Sequence, residues 1–351
     1  MVDRFSVAKD PGGAAPAGGD ALKSSTGYRI GIVNPLTLVG NEIKTILRDR
    51  SFPFAKVSLL DSTGKAAGAL TEVDEEPAVV AAVSDDELED LDLVFFCGPP
   101  SGNREWIDHY RDDRFVVIDV SQPSTIESGK LAVAGINLDA ITGKDTLLIS
   151  PHPVAIPIAL ILHQIQMLSA IELCTATVVQ PASEFEQVGV EELAQQAISV
   201  LNVRSVTKEV FDRQLAFNLY PALERNEEFI VEQIRALTEP DAQFALLITQ
   251  GTIFHAHTFS LFTKTRDDLS VDQIVSRLRE NPAIVLPEGD QSFGTTDAAG
   301  KDEVLVAEVR RDPTIRGGFW VWAVCDNLRR SSALNAVLVA EKVLFGNSKV
   351  M

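Results

Sequence analysis

Positive charge is scarce in this chain. Its 31 lysines and arginines stand against 50 aspartates and glutamates, a formal net charge of -19 over 351 residues. Such a surface repels phosphate backbones and anionic headgroups, which argues against nucleic acid and membrane surfaces as partners while leaving room for a local basic pocket. Cysteine is scarce too: Cys97, Cys174 and Cys325 fall in no CxxC or Cys/His spacing, so neither a zinc site nor a disulfide framework is indicated. Their apolar neighbours predict buried, reduced thiols and a cytoplasmic protein. Long apolar runs are missing as well. No early run resembles a signal-peptide core. The longest candidate, residues 154–168, contains His163, Gln164 and Gln166 and reads as a core helix rather than a membrane span.

What is present is a chain long enough for two domains, with 45% hydrophobic residues to fill their cores. Residues 1–27, rich in Gly, Ala, Pro and Ser, read as a disordered extension. From Tyr28 to Ser150, short apolar strands at 28–33, 55–60, 93–97, 115–120 and 146–149 alternate with helical stretches, notably 39–48. Dense apolar strands of this kind are buried on both faces. The pattern predicts an α/β fold, a Rossmann-like doubly wound parallel sheet over residues 28–150, completed by a C-terminal helix at 327–346. Residues 151–326 change character. Helices at 190–201 and 226–237, and partly alternating strands at 175–180, 242–254, 303–309 and 319–324, predict an α+β domain with one sheet face packed and one available.

The turn Ile149-Ser150-Pro151-His152-Pro153-Val154 joins a strand to a buried helix. Many α/β enzymes present a nucleophile at such a turn, because helix N-terminal amides stabilise an anion there. Here proline fills the position, and it has no nucleophilic atom. The first βα turn, residues 33–40, is similarly reduced: where a dinucleotide fingerprint places three glycines, it has Asn34, Thr37 and Gly40.

The segment Asp326-Asn327-Leu328-Arg329-Arg330-Ser331-Ser332-Ala333-Leu334-Asn335-Ala336-Val337 closely resembles the C-terminal signature of aspartate-semialdehyde dehydrogenases. The resemblance extends through Phe52-Pro53, Leu59-Leu60-Asp61-Ser62, Ser101-Gly102-Asn103-Arg104-Glu105, Val117-Ile118-Asp119 and Ala216-Phe217-Asn218-Leu219-Tyr220-Pro221. It implies a two-domain NADPH enzyme, usually dimeric, that makes aspartate semialdehyde from aspartyl phosphate. In that family a cysteine thiolate attacks the acyl phosphate, a histidine moves protons and hydride reduces the thioester. A thiolate suits the task as both nucleophile and leaving group.

Carried across residue by residue, the resemblance retains the acid/base as His257 and the thioester-supporting glutamine as Gln180. It places the cofactor against Leu36, Thr37, Leu38, Val39, Ser62, Lys65 and Asn327. It puts Pro153 at the nucleophile, Gln250 at the carboxylate-binding arginine and Thr125 at the phosphate-binding arginine. His255 and His257, on one strand face, are two ligands short of a metal centre, and no metal is expected. His152 reads as a turn or capping residue, and Cys325 as a small core residue. The expectation is a catalytically degenerate, Usg-like paralogue: a homodimer, or a partner of a related active subunit, with binding or regulatory function. The alternative is an NADP(H)-dependent oxidoreductase that acts on a changed substrate without a covalent thioester.

Overall fold

A computed structural model describes residues 27–111, 115–222, 226–238, 241–289 and 291–346. The expected extension at residues 1–27 lies, except for Gly27, outside the described residues. Beyond it run β1 (Tyr28–Val33), α1 (Leu38–Asp49), β2 (Phe54–Asp61), β3 (Leu70–Val73), β4 (Glu76–Val79), β5 (Ala81–Ala82), α2 (Asp85–Leu88), β6 (Leu93–Phe96), α3 (Pro100–Tyr110), β7 (Val116–Asp119), β8 (Lys130–Leu131) and β9 (Leu147–Ile149). Apart from the β3–β4 hairpin, these strands form one parallel sheet in the order β5-β2-β1-β6-β7-β9-β8. The apolar runs are buried on both faces, as in β6, where all four residues are inaccessible. The sheet reverses its winding between β1 and β6, and this switch point opens a crevice at the N-terminus of α1.

The second sheet follows, with α4 (Ala155–Gln166), β10 (Ile171–Gln180), α5 (Glu186–Leu201), β11 (Leu219–Pro221), α6 (Glu227–Leu237), β12 (Gln243–Gly251), β13 (His257–Thr265), α7 (Val271–Arg279), β14 (Ile284–Val285), α8 (Thr295–Ala298), β15 (Val304–Arg311) and β16 (Gly318–Cys325). Its order is β11-β12-β10-β13-β16-β15-β14, and it mixes parallel and antiparallel pairs. Burial alternates along β10: Cys174, Ala176 and Val178 point into the core, while Thr177 is exposed. The packed side meets α4, α6 and α7 through one apolar cluster, and the other side of β10 and β12 is open, as the sequence predicts.

Three expectations need adjustment. No strand is predicted from sequence over 257–265, yet β13 is central, pairing with β10 and β16. His255 and His257 do not share a strand face: Ala256 takes φ 74°, so the strand starts only at His257 and His255 lies in the bend before it. The C-terminal helix is not continuous with the Asp326-Asn327 signature. A π-helical turn at Arg329–Leu334 leads into α9 (Asn335–Phe345), which ends at Gly346 with φ 75°. That left-handed cap suits glycine. Ala333, Leu334, Ala336 and Val337 pack with Ile30, Ile32 and Ile43, so the C-terminus completes the first core. Among the described residues no helix is long and apolar enough to cross a membrane.

Candidate functional site

At the head of α4, His152 organises the turn. Its carbonyl accepts from the amides of Ala155 (2.7 Å) and Ile156 (3.3 Å), and its Nδ1 accepts from Val154 at 3.1 Å. The amides that could stabilise an anion beside Pro153 are thus taken by an internal cap. Its own amide donates to Gln233 Oε1 at 2.7 Å. Burial pushes the His152 imidazole down to about 4, so it is neutral at pH 7 and suited to accepting from Val154. None of the three thiols of the chain lies at this turn. Cys97, Cys174 and Cys325 are all buried. Burial raises each of them, Cys174 and Cys325 to about 12. Cys325 is the cross-strand neighbour of His257, but its Sγ lies 3.2 Å from Ser331 Oγ in a closed environment.

The ends of β10, β12 and β13 bring Gln180, Gln250 and His257 to one edge of the second sheet. Gln180 and Gln250 are register partners on parallel strands. Gln180 Nε2 donates to Gln250 Oε1 at 2.8 Å, and Gln250 Nε2 returns a bond to the Gln180 carbonyl at 3.2 Å. Gln250 is only 1% exposed, so the pair satisfies itself in the dry interior. His257 is fully buried, and among the described residues neither ring nitrogen has a hydrogen-bond partner. Its Nε2 lies 3.4 Å from Glu184 Oε1, an ion pair only if the ring were protonated. Burial, reinforced by nearby His152, pushes His257 down to about 3. A neutral His257 could exchange a proton only with a group that enters this pocket.

Asn327 is spent on structure. Its Oδ1 accepts from the Ala256 amide and Ser183 Oγ, both at 3.1 Å, and its Nδ2 donates to Glu184 Oε1 at 2.9 Å.

At the crevice, Asn34 has φ 58°, the left-handed conformation a fingerprint glycine provides and asparagine tolerates. Its Oδ1 accepts from the amide (3.1 Å) and hydroxyl (3.2 Å) of Ser62, and its Nδ2 donates to the Cys97 carbonyl at 2.8 Å. Thr37 caps α1, its hydroxyl accepting from the Gly40 amide at 3.1 Å. A Cβ on Gly40 would sit 2.6 Å from the Asn34 carbonyl oxygen, so the helix-packing glycine keeps its reason. The turn backbone is thus preserved although two glycines are gone.

Glu186 reaches into this crevice from the start of α5. Its Oε2 accepts from the Leu38 amide, in the first turn of α1, at 2.7 Å. Its backbone, φ 59° and ψ -166°, lies where non-glycine residues rarely go, at a cost of about 1–3 kcal/mol. Burial raises its carboxyl, opposed by the Leu38 bond.

The adjoining cavity, about 340 Å³, is lined by Leu36, Thr37, Asp61, Thr63, Val188 and Glu186 among others, and by no lysine or arginine. Asp61 ends β2, with Oδ2 accepting from Thr63 Oγ1 (2.9 Å) and the Ala66 amide (3.2 Å). A dinucleotide would bring its pyrophosphate to a carboxylate and any 2′-phosphate to the Asp61 side of the cleft. Glu186 does not fit the pyrophosphate of either nucleotide and Asp61 does not fit a 2′-phosphate, although an acidic residue at the end of β2 suits the free ribose hydroxyl of NAD(H).

Lys65, in the turn after β2, is exposed and does not line this cavity, and Thr125 is exposed in another loop. Val39 is half-buried at the start of α1. Sequence reasoning missed Glu184 and Glu186. The available signal was two carboxylates within six residues of Gln180, between a strand and a helix. Among the described residues no three His, Cys, Asp or Glu side chains gather as a metal site.

Residues 29–155 match the model of the semialdehyde dehydrogenase NAD binding domain, and residues 169–330 that of the semialdehyde dehydrogenase dimerisation domain. The aspartate-semialdehyde dehydrogenase of Aquifex aeolicus is 24% identical over 331 residues, covering 90% of this chain and 97% of that protein. A USG-1 protein homolog of Azotobacter vinelandii is 26% identical over 329 residues, with 90% and 97% covered. The structure of a probable aspartate-semialdehyde dehydrogenase from Pseudomonas aeruginosa superposes with a TM-score of 0.86 at 25% identity, covering 91% of this chain and 99% of that one. The Candida albicans aspartate-semialdehyde dehydrogenase with NADP shares the fold at 12% identity, with a TM-score of 0.71 over 90% of this chain and 98% of that one. With both domain models matched in order and these relatives aligned end to end, the chain belongs to the aspartate-semialdehyde dehydrogenase family.

Proposed function

We propose that this chain is a dimeric member of the family that no longer reduces aspartyl phosphate and acts by binding, to a second copy of itself or to a related active subunit. The observation that carries this reading is the head of α4. Pro153 stands there, His152 caps the adjacent amides, and the three thiols of the chain are buried elsewhere. Loss of a covalent nucleophile lowers rates by roughly 10⁴ or more. Loss of a carboxylate-binding arginine removes on the order of 2–5 kcal/mol of binding, and here the glutamine in its place is turned onto Gln180. The test is turnover in both directions: NADPH oxidation with aspartyl phosphate, and NADP reduction with aspartate semialdehyde and phosphate. No rate above the uncatalysed background is expected, and measurable turnover would overturn the reading.

One observation favours a second reading, an NADP(H)-dependent oxidoreductase on a changed substrate. Among the described residues neither ring nitrogen of His257 has a hydrogen-bond partner, and Nε2 has only Glu184 Oε1 nearby at 3.4 Å, as a group open to a ligand would. That reading requires the crevice to accept the cofactor, which can be measured directly.

A further inference from the structure

We infer that Glu186 is an internal substitute for the dinucleotide's pyrophosphate: its carboxylate holds the N-terminus of α1 and closes the crevice to NAD(H) and NADP(H). This inference is independent of the missing nucleophile, which lies at a different helix.

A helix N-terminus at a switch point binds phosphate through its first free amides. The Leu38 amide is one of these, and it already donates to Glu186 Oε2 at 2.7 Å across 148 residues of sequence. The Gly40 amide is taken by Thr37 Oγ1. A phosphate oxygen and the carboxylate cannot both accept from Leu38, and their like charges repel at contact distance.

Glu186 is not a loose surface side chain that could swing aside without consequence. The preceding turn is anchored on three sides: Ala182 N to the Ile253 carbonyl (2.7 Å), Ser183 N to the Phe254 carbonyl (3.1 Å) and Ser183 Oγ to Asn327 Oδ1 (3.1 Å). Gly189 draws α5 against the same turn, since a Cβ there would meet the Ala182 carbonyl oxygen at 2.5 Å. The latch therefore joins the second sheet to α1 of the first. The position has φ 59°, natural for glycine, yet carries a side chain whose only polar group is spent on α1. Removing that side chain relaxes the backbone and frees the amide together. The cavity beyond, with Asp61 and no cation in its lining, adds no attraction for a phosphate.

The experiment uses the full-length protein with two variants, Glu186→Gly and Glu186→Gln. NADPH and NADH are titrated by fluorescence, and inorganic pyrophosphate is scored by its shift of the melting temperature. The wild type should show no saturable binding up to about 1 mM and no pyrophosphate shift. Glu186→Gly should gain affinity at least about tenfold and be stabilised by pyrophosphate. Glu186→Gln, which keeps the bulk and loses the charge, should gain less, and it decides the matter if the glycine variant does not fold. Saturable wild-type binding of either nucleotide in the micromolar range overturns the inference, as does a folded variant with no gain. Neither result bears on the missing thiolate, because no turnover is read.

Discussion

Gln180 and Gln250 hydrogen-bond each other at the ends of adjacent parallel strands, Nε2 to Oε1 at 2.8 Å. Gln250, the position the resemblance assigns to a carboxylate-binding arginine, thus spends its amide on Gln180. Such a pair makes its own energetic prediction. Removing one side chain takes a partner from a polar atom of the other, Gln250 Oε1 or Gln180 Nε2, at a cost of about 1–3 kcal/mol. Gln180→Ala and Gln250→Ala should each destabilise by that order. The double variant should destabilise by less than their sum, with a coupling of about 1 kcal/mol in urea unfolding. Additive costs would show that the bond contributes nothing to stability.

Pro153→Cys should restore a reactive thiol without restoring the reaction. The wild-type thiols are all buried, so a thiol reagent should find almost none in the folded protein and three after denaturation. In the variant one thiol should react in the folded state, since position 153 is partly exposed at the head of α4. Turnover of aspartyl phosphate should stay at background because Gln250 and Thr125 supply no cation. If this single substitution produced NADPH-dependent turnover, those two positions would have been misread.

Acid should destabilise the fold through its buried imidazoles. His152 and His257 are held down to about 4 and about 3, against about 6.5 in the unfolded chain. Above pH 6.5 they are neutral in both states and exert no effect. Below it the unfolded chain takes up protons that the folded chain refuses, so stability falls as pH falls toward 4. The slope is about 1.4 kcal/mol per pH unit for each histidine, or roughly 2 kcal/mol each by pH 5. His257→Leu should shrink the loss between pH 7 and pH 5 by about that amount in urea titrations. An unchanged pH dependence would place the titration elsewhere.

Much of this could be read from the sequence because the information is local. Leu93–Phe96 and Ile30–Val33 are short apolar runs of the length and composition of buried strands, and the Asp326–Val337 signature pointed to the family. The site was legible only in part. The resemblance assigns Pro153 and Gln250 by position, but Glu186 looks like one acidic residue among many until the fold carries it to Leu38, 148 residues away. Asn34 shows the same limit from the other side. It counts as a lost glycine in the pattern, yet it holds the glycine's left-handed backbone. The β13 strand was missed although Phe259, Leu261 and Thr263 alternate inward, because Ala256 at φ 74° separates it from the bend and the preceding strand.

The open face of the second sheet predicts the oligomer. Leu247 on β12 is 50% exposed, beside exposed Ala245 on the same strand and Thr177 on β10. A partly apolar strip that no helix covers among the described residues is suited to a self-complementary contact about a two-fold axis. Light scattering should give about twice the 38.1 kDa chain mass. Leu247→Asp places a charge in the contact twice and should shift the mass toward the monomer at micromolar concentration. A dimer indifferent to this change would move the interface off this face.

Arg50 and Glu341 tie the end of α1 to α9 by two parallel bonds, Nε to Oε1 at 2.6 Å and Nη2 to Oε2 at 2.7 Å. The side chains are only 20% and 10% exposed, and the carboxylate partner raises the arginine above its ordinary value. Bidentate geometry at partial burial is the case in which an ion pair matters, and removing Glu341 takes from Arg50 the carboxylate that it hydrogen-bonds twice. Glu341→Ala should cost about 2–4 kcal/mol. Arg50→Lys keeps the charge but loses the fork and should cost about 1 kcal/mol. Because α9 supplies core residues to the first sheet, the loss should lower the midpoint of the main unfolding transition rather than fray an end. Urea unfolding followed by far-UV circular dichroism reads both. A Glu341→Ala cost under about 0.5 kcal/mol, typical of a surface pair, would mean the C-terminal helix is held by its apolar face alone.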